Sequence, residues 1–141
     1  MTIPRGIRNN NPGNLRLTKD EWNGLLPGDD LEFFTFKTPM YGIRALAKVL
    51  TNYGKKYKLG TIKEVISRWA PPSENDTQSY IDAVCYRLGC GEDVPIELRC
   101  TGIIELLVRA IIFHENGQQP YADDVILTAI HSGIGHDKTK H

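Results

Sequence analysis

From residue 38 onward the apolar positions recur at spacings of three and four, the period of a helix packed on one side. Met40, Ile43, Leu46, Leu50 and Tyr53 form the first such stripe, with Thr38 as N-cap and Pro39 at the first helical position. Gly54 or Lys58 marks its end. Thr61 and Glu64 have the spacing of a capping box, and Ile62, Val65, Ile66 and Trp69 share one side of the helix that follows, until Pro71-Pro72 stops it. Asn75 or Asp76 caps a third helix through Tyr80, Ile81, Val84 and Leu88, and Gly89 suits its C-terminal turn. The fourth pattern, opened by Thr101 and closed at Asn116-Gly117, is apolar nearly all round, with Glu105 and Arg109 marking its wet side. Such a helix is expected at the centre of the fold. A fifth helix is predicted from Tyr121 to Ile130.

The first 30 residues follow a different rule. RGIRNNNPGNLRL and WNGLLPGDD are rich in Asn, Pro and Gly, residues that tolerate or impose turn geometry, and predict ordered loop with a hairpin. LRLT (15–18) and LEFFTF (31–36) have the short, aromatic, partly alternating look of its strands. The expected class is α+β, mostly α: a helical lobe around a central buried helix with a small N-terminal loop/hairpin lobe. One domain over 1–141 is expected, with a polar, disordered tail from 137.

Charge sharpens the picture by exclusion. The 17 basic residues balance the 17 acidic ones, so nucleic acid and anionic membrane are not indicated as partners. No apolar run reaches the length needed to span a bilayer, and MTIPRGIRNN lacks the apolar core of a signal peptide, so any work outside the cytoplasm calls for another route. Cys85, Cys90 and Cys100 are odd in number and lack CxxC spacing. They read as buried free thiols, with a Cys90–Cys100 bridge as the alternative in an oxidising compartment.

The chemistry concentrates where the greasiest stretch ends, AIIFHENGQQPY. Glu115 there lies at a helix C-terminus, where the dipole disfavours negative charge, among apolar neighbours that withhold solvent. Both favour the protonated acid, which is what a glycosidase needs to protonate a leaving oxygen. Gly117 leaves room for a substrate to approach. The bland alternative is a glutamate emerging into water as its helix ends. His114-Glu115 has the start of a zinc HExxH motif, but position 118 is Gln, so no metal and no cofactor is expected. Asp123 is a candidate second carboxylate or an N-terminal charge of the fifth helix, Glu105 a partner of Arg109, and His131 and His136 ordinary surface histidines. The asparagines of NNNPGN are either turn formers or amide partners for sugar hydroxyl and N-acetyl groups, with Trp22 and Tyr80 as sugar platforms.

RGIRNNNPGNL, the W-x-G at Trp22 to Gly24, F-x-x-F at Phe33 to Phe36, GIRALAKVL, WAPPSENDTQSYIDAV and HENGQQPY together resemble phage and prophage proteins of the lysozyme superfamily that attack peptidoglycan. The resemblance spans about residues 5–122. It implies a lysozyme-like domain whose parts run in circularly permuted order, with the asparagine segment first, Glu74 to Tyr80 in the middle and the glutamate helix last. It further implies cleavage between N-acetylmuramic acid and N-acetylglucosamine, by a muramidase or lytic transglycosylase, with Glu115 catalytic. Asn11, Asn14, Trp22, Thr77, Tyr80 and Tyr121 would contact the glycan. The action would lie in the periplasm or cell wall, reached from a virion, by lysis or through a secretion system. An inhibitor or immunity protein would be a partner if the chain is a secreted antibacterial toxin. The alternative is a noncatalytic virion or wall-binding module that keeps the fold.

Overall fold

The computed structural model describes residues 2–135. The tail from 137, and His136, lie outside the described residues. The chain is mostly helical with one two-stranded sheet, in the order α1 (Arg5–Arg8), β1 (Leu25–Leu26), β2 (Thr35–Phe36), α2 (Pro39–Lys55), α3 (Ile62–Trp69), α4 (Thr77–Leu88), α5 (Thr101–Asn116) and α6 (Asp123–Gly133).

The helical body forms where the periodicity places it. Thr38 precedes Pro39 in extended conformation at the start of α2. Thr61 Oγ1 accepts from the Glu64 N–H while Glu64 Oε1 accepts from the Gly60 N–H, so the cap and its reciprocal contact both form. Asp76 caps α4 by accepting from the Ser79 N–H. The cap of α5 differs from expectation: Cys100 is the capping residue and Thr101 is already helical. Likewise α6 starts at Asp123, two residues later than expected, which puts Asp123 and Asp124 in the first turn where the dipole favours them.

Helix α5 touches α1, α2, α4 and α6. It buries Ile104, Leu107, Val108, Ala110, Ile111 and Ile112, while Leu106 and Phe113 face outward, so it is central with one wet flank. Removing one of these fully buried branched side chains costs about 2–5 kcal/mol. Helices α2 and α6 pack closely through small residues. A Cβ on Gly133 would lie 2.8 Å from the Arg44 carbonyl oxygen. Arg44 itself is buried at this seam and donates from Nε to Ser132 Oγ at 2.9 Å. The cysteines are free thiols, but Cys85 and Cys90 are half-buried and Cys100 is exposed, so the expectation of buried thiols fails most clearly at Cys100.

The N-terminal lobe departs most from expectation. Residues 5–8, expected as loop, form one helical turn that buries Gly6 against the end of α5. The strand that pairs with Thr35–Phe36 is Leu25–Leu26, in antiparallel register Leu25↔Phe36 and Leu26↔Thr35. The expected strand 15–18 contributes one bridge, Arg16↔Phe33. The physical reason lies in the asparagines. Asn11, fully buried, donates to the carbonyls of Leu15 and Phe34 and accepts from the Leu15 N–H. This ties up, through a side chain, backbone that a strand ladder would use.

Candidate functional site

Glu115 is the penultimate residue of α5. Gly117 adopts φ +70° and its N–H closes onto the Phe113 carbonyl, which ends the helix and fixes the direction of the glutamate. Both carboxylate oxygens are held. Oε1 accepts from Asn14 Nδ2 at 2.8 Å, across 101 positions of sequence. Oε2 accepts from the Tyr80 hydroxyl at 2.8 Å, and that hydroxyl accepts in turn from Trp69 Nε1 at 3.1 Å. The Tyr80 ring stacks on His114, with centroids 3.8 Å apart. Burial first, and then the charge of Glu115 and its hydrogen bond, push the Tyr80 hydroxyl far above the usual tyrosine range, so it stays a donor. The apolar cage expected from the sequence is thus replaced by two oriented donors.

The four asparagines of NNNPGN divide the work. Asn9 donates to Asp30, Asn10 donates to the carbonyls of Phe36 and Lys37, and Asn11 braces the loop from inside. Only Asn14 reaches the carboxylate. Its φ of +52° is one an asparagine tolerates, and its N–H is fastened to the Asn11 carbonyl at 2.9 Å. Asn116, next to the glutamate, donates to the carbonyls of Pro12 and Ile112 and so seals the end of α5 to the same loop. The loop and the helix end are one unit.

Glu115 opens on a cleft of about 440 Å³ between the N-terminal lobe and the helical body. Asn14, Arg16, Trp22 and Phe33 line it from the lobe; Tyr53, Trp69, Glu74 and Glu115 line it from the body. Arg16 Nε lies 3.2 Å from Glu74 Oε2, an ion pair that joins the two sides. The other sequence candidates fall elsewhere. Asn11 is buried and structural. Thr77 is buried, donating to the Ala70 carbonyl at 2.6 Å, and Tyr80 acts from beneath the carboxylate. Tyr121 does not line the cleft; its half-buried ring raises the hydroxyl to about 12 by desolvation. Gly117 borders a different depression, beside Phe113 and His114, so its part is to end the helix. Asp123 is exposed and paired with Arg109 at 3.0 Å, and Arg109 also meets Glu105 at 3.0 Å as expected. Among the described residues no group of His, Cys, Asp and Glu is arranged to hold a metal, and no helix is long and apolar enough to cross a membrane.

Sequence reasoning missed Trp69, Tyr53 and Arg68. The first two were legible only as core positions of α2 and α3, and they sit where that core meets the cleft. It also missed Asp30. That side chain accepts from Arg5 Nε and Nη2, Asn9 Nδ2 and the N–H groups of Glu32 and Phe33, and Arg5 above all holds its carboxyl well below the usual range.

No family model matches the chain. It is 40% identical over 126 residues to Protein P5 of Pseudoalteromonas phage PM2, an alignment that covers 86% of this chain and 77% of the phage protein. The loop, the glutamate helix and the cleft between them therefore occur in a chain that belongs to the family of Protein P5 of Pseudoalteromonas phage PM2.

Proposed function

We propose that the protein cleaves peptidoglycan glycan strands between N-acetylmuramic acid and N-acetylglucosamine, with Glu115 as the general acid. One observation carries this reading: a half-buried carboxylate at the edge of a cleft, both oxygens fixed by uncharged donors from two separate parts of the chain. Each carboxyl oxygen has two lone-pair positions. An oxygen that accepts from Asn14 or Tyr80 on one of them has the other free to carry a proton toward a glycosidic oxygen. Two fixed contacts remove the rotamer freedom that would otherwise have to be lost in the transition state.

The cleft suits the substrate. Its volume falls in the about 300–1,000 Å³ typical of ligand sites, and its walls combine aromatic surface with amide and charged groups. Of the carboxylates lining it, Glu74 is bound to Arg16 and Asp20 accepts from the Thr18 hydroxyl at 2.7 Å. Glu115 is held at both oxygens, by neutral donors from two distant parts of the chain. A single acid that then serves as base fits a lytic transglycosylase, while recruitment of Asp20 or Glu74 would make a hydrolase. A lysozyme-like domain in circularly permuted order accounts for the glutamate helix being late and central and the asparagine loop early. Action in the cell wall follows from the substrate.

The test is Glu115→Gln, which keeps size and most packing. It should fold as the parent does and lose about a hundredfold or more of the clearing of purified cell walls. Equal clearing by both proteins would remove Glu115 from the chemistry; binding to cell walls with no clearing by the parent would make the protein a noncatalytic wall-binding module.

A further inference from the structure

Arg68 is a cation of the cleft that the proposed chemistry does not use. Arg68, in the last turn of α3, lines it together with Tyr53 and Trp69. Its guanidinium carbon lies 3.6 Å from the centroid of the Tyr57 ring and 5.6 Å from that of Tyr53. A planar guanidinium on an aromatic face keeps its edge N–H groups directed away from the ring, available to a planar acceptor. Lys56 Nζ lies 5.5 Å from the same Tyr57 centroid, a second positive charge at this end.

The ordinary partner of Arg68 is absent for a reason. Four residues earlier on the same helix stands Glu64, the position from which a carboxylate normally reaches an arginine. Glu64 instead turns back on the helix start, accepting from the Gly60 N–H at 3.0 Å and the Thr61 hydroxyl at 3.4 Å. Among the described residues no carboxylate lies within ion-pair distance of Arg68, whereas Arg5, Arg16, Arg99 and Arg109 each have one. The capping box that starts α3 thereby leaves the guanidinium at its other end without a carboxylate among the described residues, exposed, stacked on Tyr57 and lining the cleft.

We infer that Arg68, stacked on Tyr57, is a carboxylate-binding subsite of the cleft, selecting glycan that carries acidic substituents over neutral glycan. This rests on the glycan-cleaving reading and deepens it. Peptidoglycan offers carboxylates from two sources: the stem peptides, and the lactyl ether of muramic acid once the peptides are removed. Chitin chains have neither.

Intrinsic tryptophan fluorescence suits the test because Trp22 and Trp69 line the same cleft. The full-length protein and its Arg68→Gln variant are titrated with soluble peptide-bearing glycan fragments, with the same fragments stripped of peptide by an amidase, and with chitin oligomers of equal length. Loss of one charge-assisted contact should weaken binding of an acidic ligand about tenfold. The expected result is that loss for at least one acidic ligand, with chitin binding unchanged. Loss confined to the peptide-bearing fragments assigns the subsite to stem carboxylates, loss confined to the stripped fragments assigns it to the lactyl carboxylate, and loss for both shows that it accepts either. Arg68→Lys, which keeps charge but not the planar fork, should recover only part of the affinity. Equal weakening for all three ligands, or no change for any, overturns the subsite while leaving glycan binding in place. Failure of the unaltered protein to bind any of the three overturns the glycan reading, and the subsite with it.

Discussion

The N-terminal lobe and the helical body are held together by different physics. In the body, apolar side chains at helical spacing bury against one another, and Ile43, Leu46, Leu50, Ile62, Val65 and Leu107 are fully enclosed. In the lobe a few buried apolar residues, Leu15, Trp22, Phe34 and Phe36, are joined by a polar network in which Asn9, Asn11, Asp30 and Arg5 satisfy backbone and one another. Apolar burial is roughly proportional to area and forgiving of direction, whereas hydrogen bonds demand geometry. The lobe therefore gives up generic stability for placement of a loop, and what that loop places is Asn14 on Glu115. The site lies at the seam between the two kinds of order.

At the seam the two kinds of order can be separated by substitution. A Cβ on Gly42 of α2 would lie 2.0 Å from the Asn10 carbonyl oxygen and 3.1 Å from Asn11 Cα. Gly42→Ala should force lobe and body apart, costing about 3 kcal/mol or more in a denaturant melt and abolishing activity. Asn11→Ala removes the side-chain partner of the buried Leu15 N–H and Phe34 carbonyl. It should cost about 2 kcal/mol, with the lobe losing hydrogen-exchange protection before the body does. If both regions lose protection together, the lobe is not the separate, polar-ordered unit described.

Smaller effects are expected from single polar groups. Tyr80→Phe keeps the ring on His114 but removes the hydroxyl between Trp69 and Glu115. About a tenfold loss of wall clearing is expected, with stability within about 1 kcal/mol of the parent. The least effect concerns acid. Arg5 holds Asp30 ionised in the folded lobe, below its unfolded value. The stability this adds is present above the ordinary carboxylate range and is lost as pH falls through it toward the folded value. Asp30→Asn, which resembles the protonated acid, should lower the melting temperature at neutral pH toward the parent's acid value and so flatten the acid limb.

The same division explains what the sequence made legible. Helices α2 to α5 were readable because their apolar stripes and their stops, Pro71-Pro72, Gly89 and Gly117, act locally. The hairpin was not, since LRLT has strand-like residues but the Leu15 N–H and the Phe34 carbonyl, which would continue the ladder, are both taken by the Asn11 side chain. Glu115 stood out as an acid at the end of a greasy helix. Its partners did not, because nothing in NNNPGN distinguishes Asn14 from the three asparagines that only brace the loop. Arg68 was invisible for a related reason: a capping glutamate and an ion-pairing glutamate are the same letter.

In the proposed reaction Glu115 delivers a proton to a glycosidic bond of peptidoglycan. Mass spectrometry of sacculi incubated with the protein and with Glu115→Gln tests it directly. The parent protein should release muropeptides with new reducing or 1,6-anhydro muramic ends, and the variant only background. Sacculi left intact by both proteins, or the same muropeptides released by both, would contradict it.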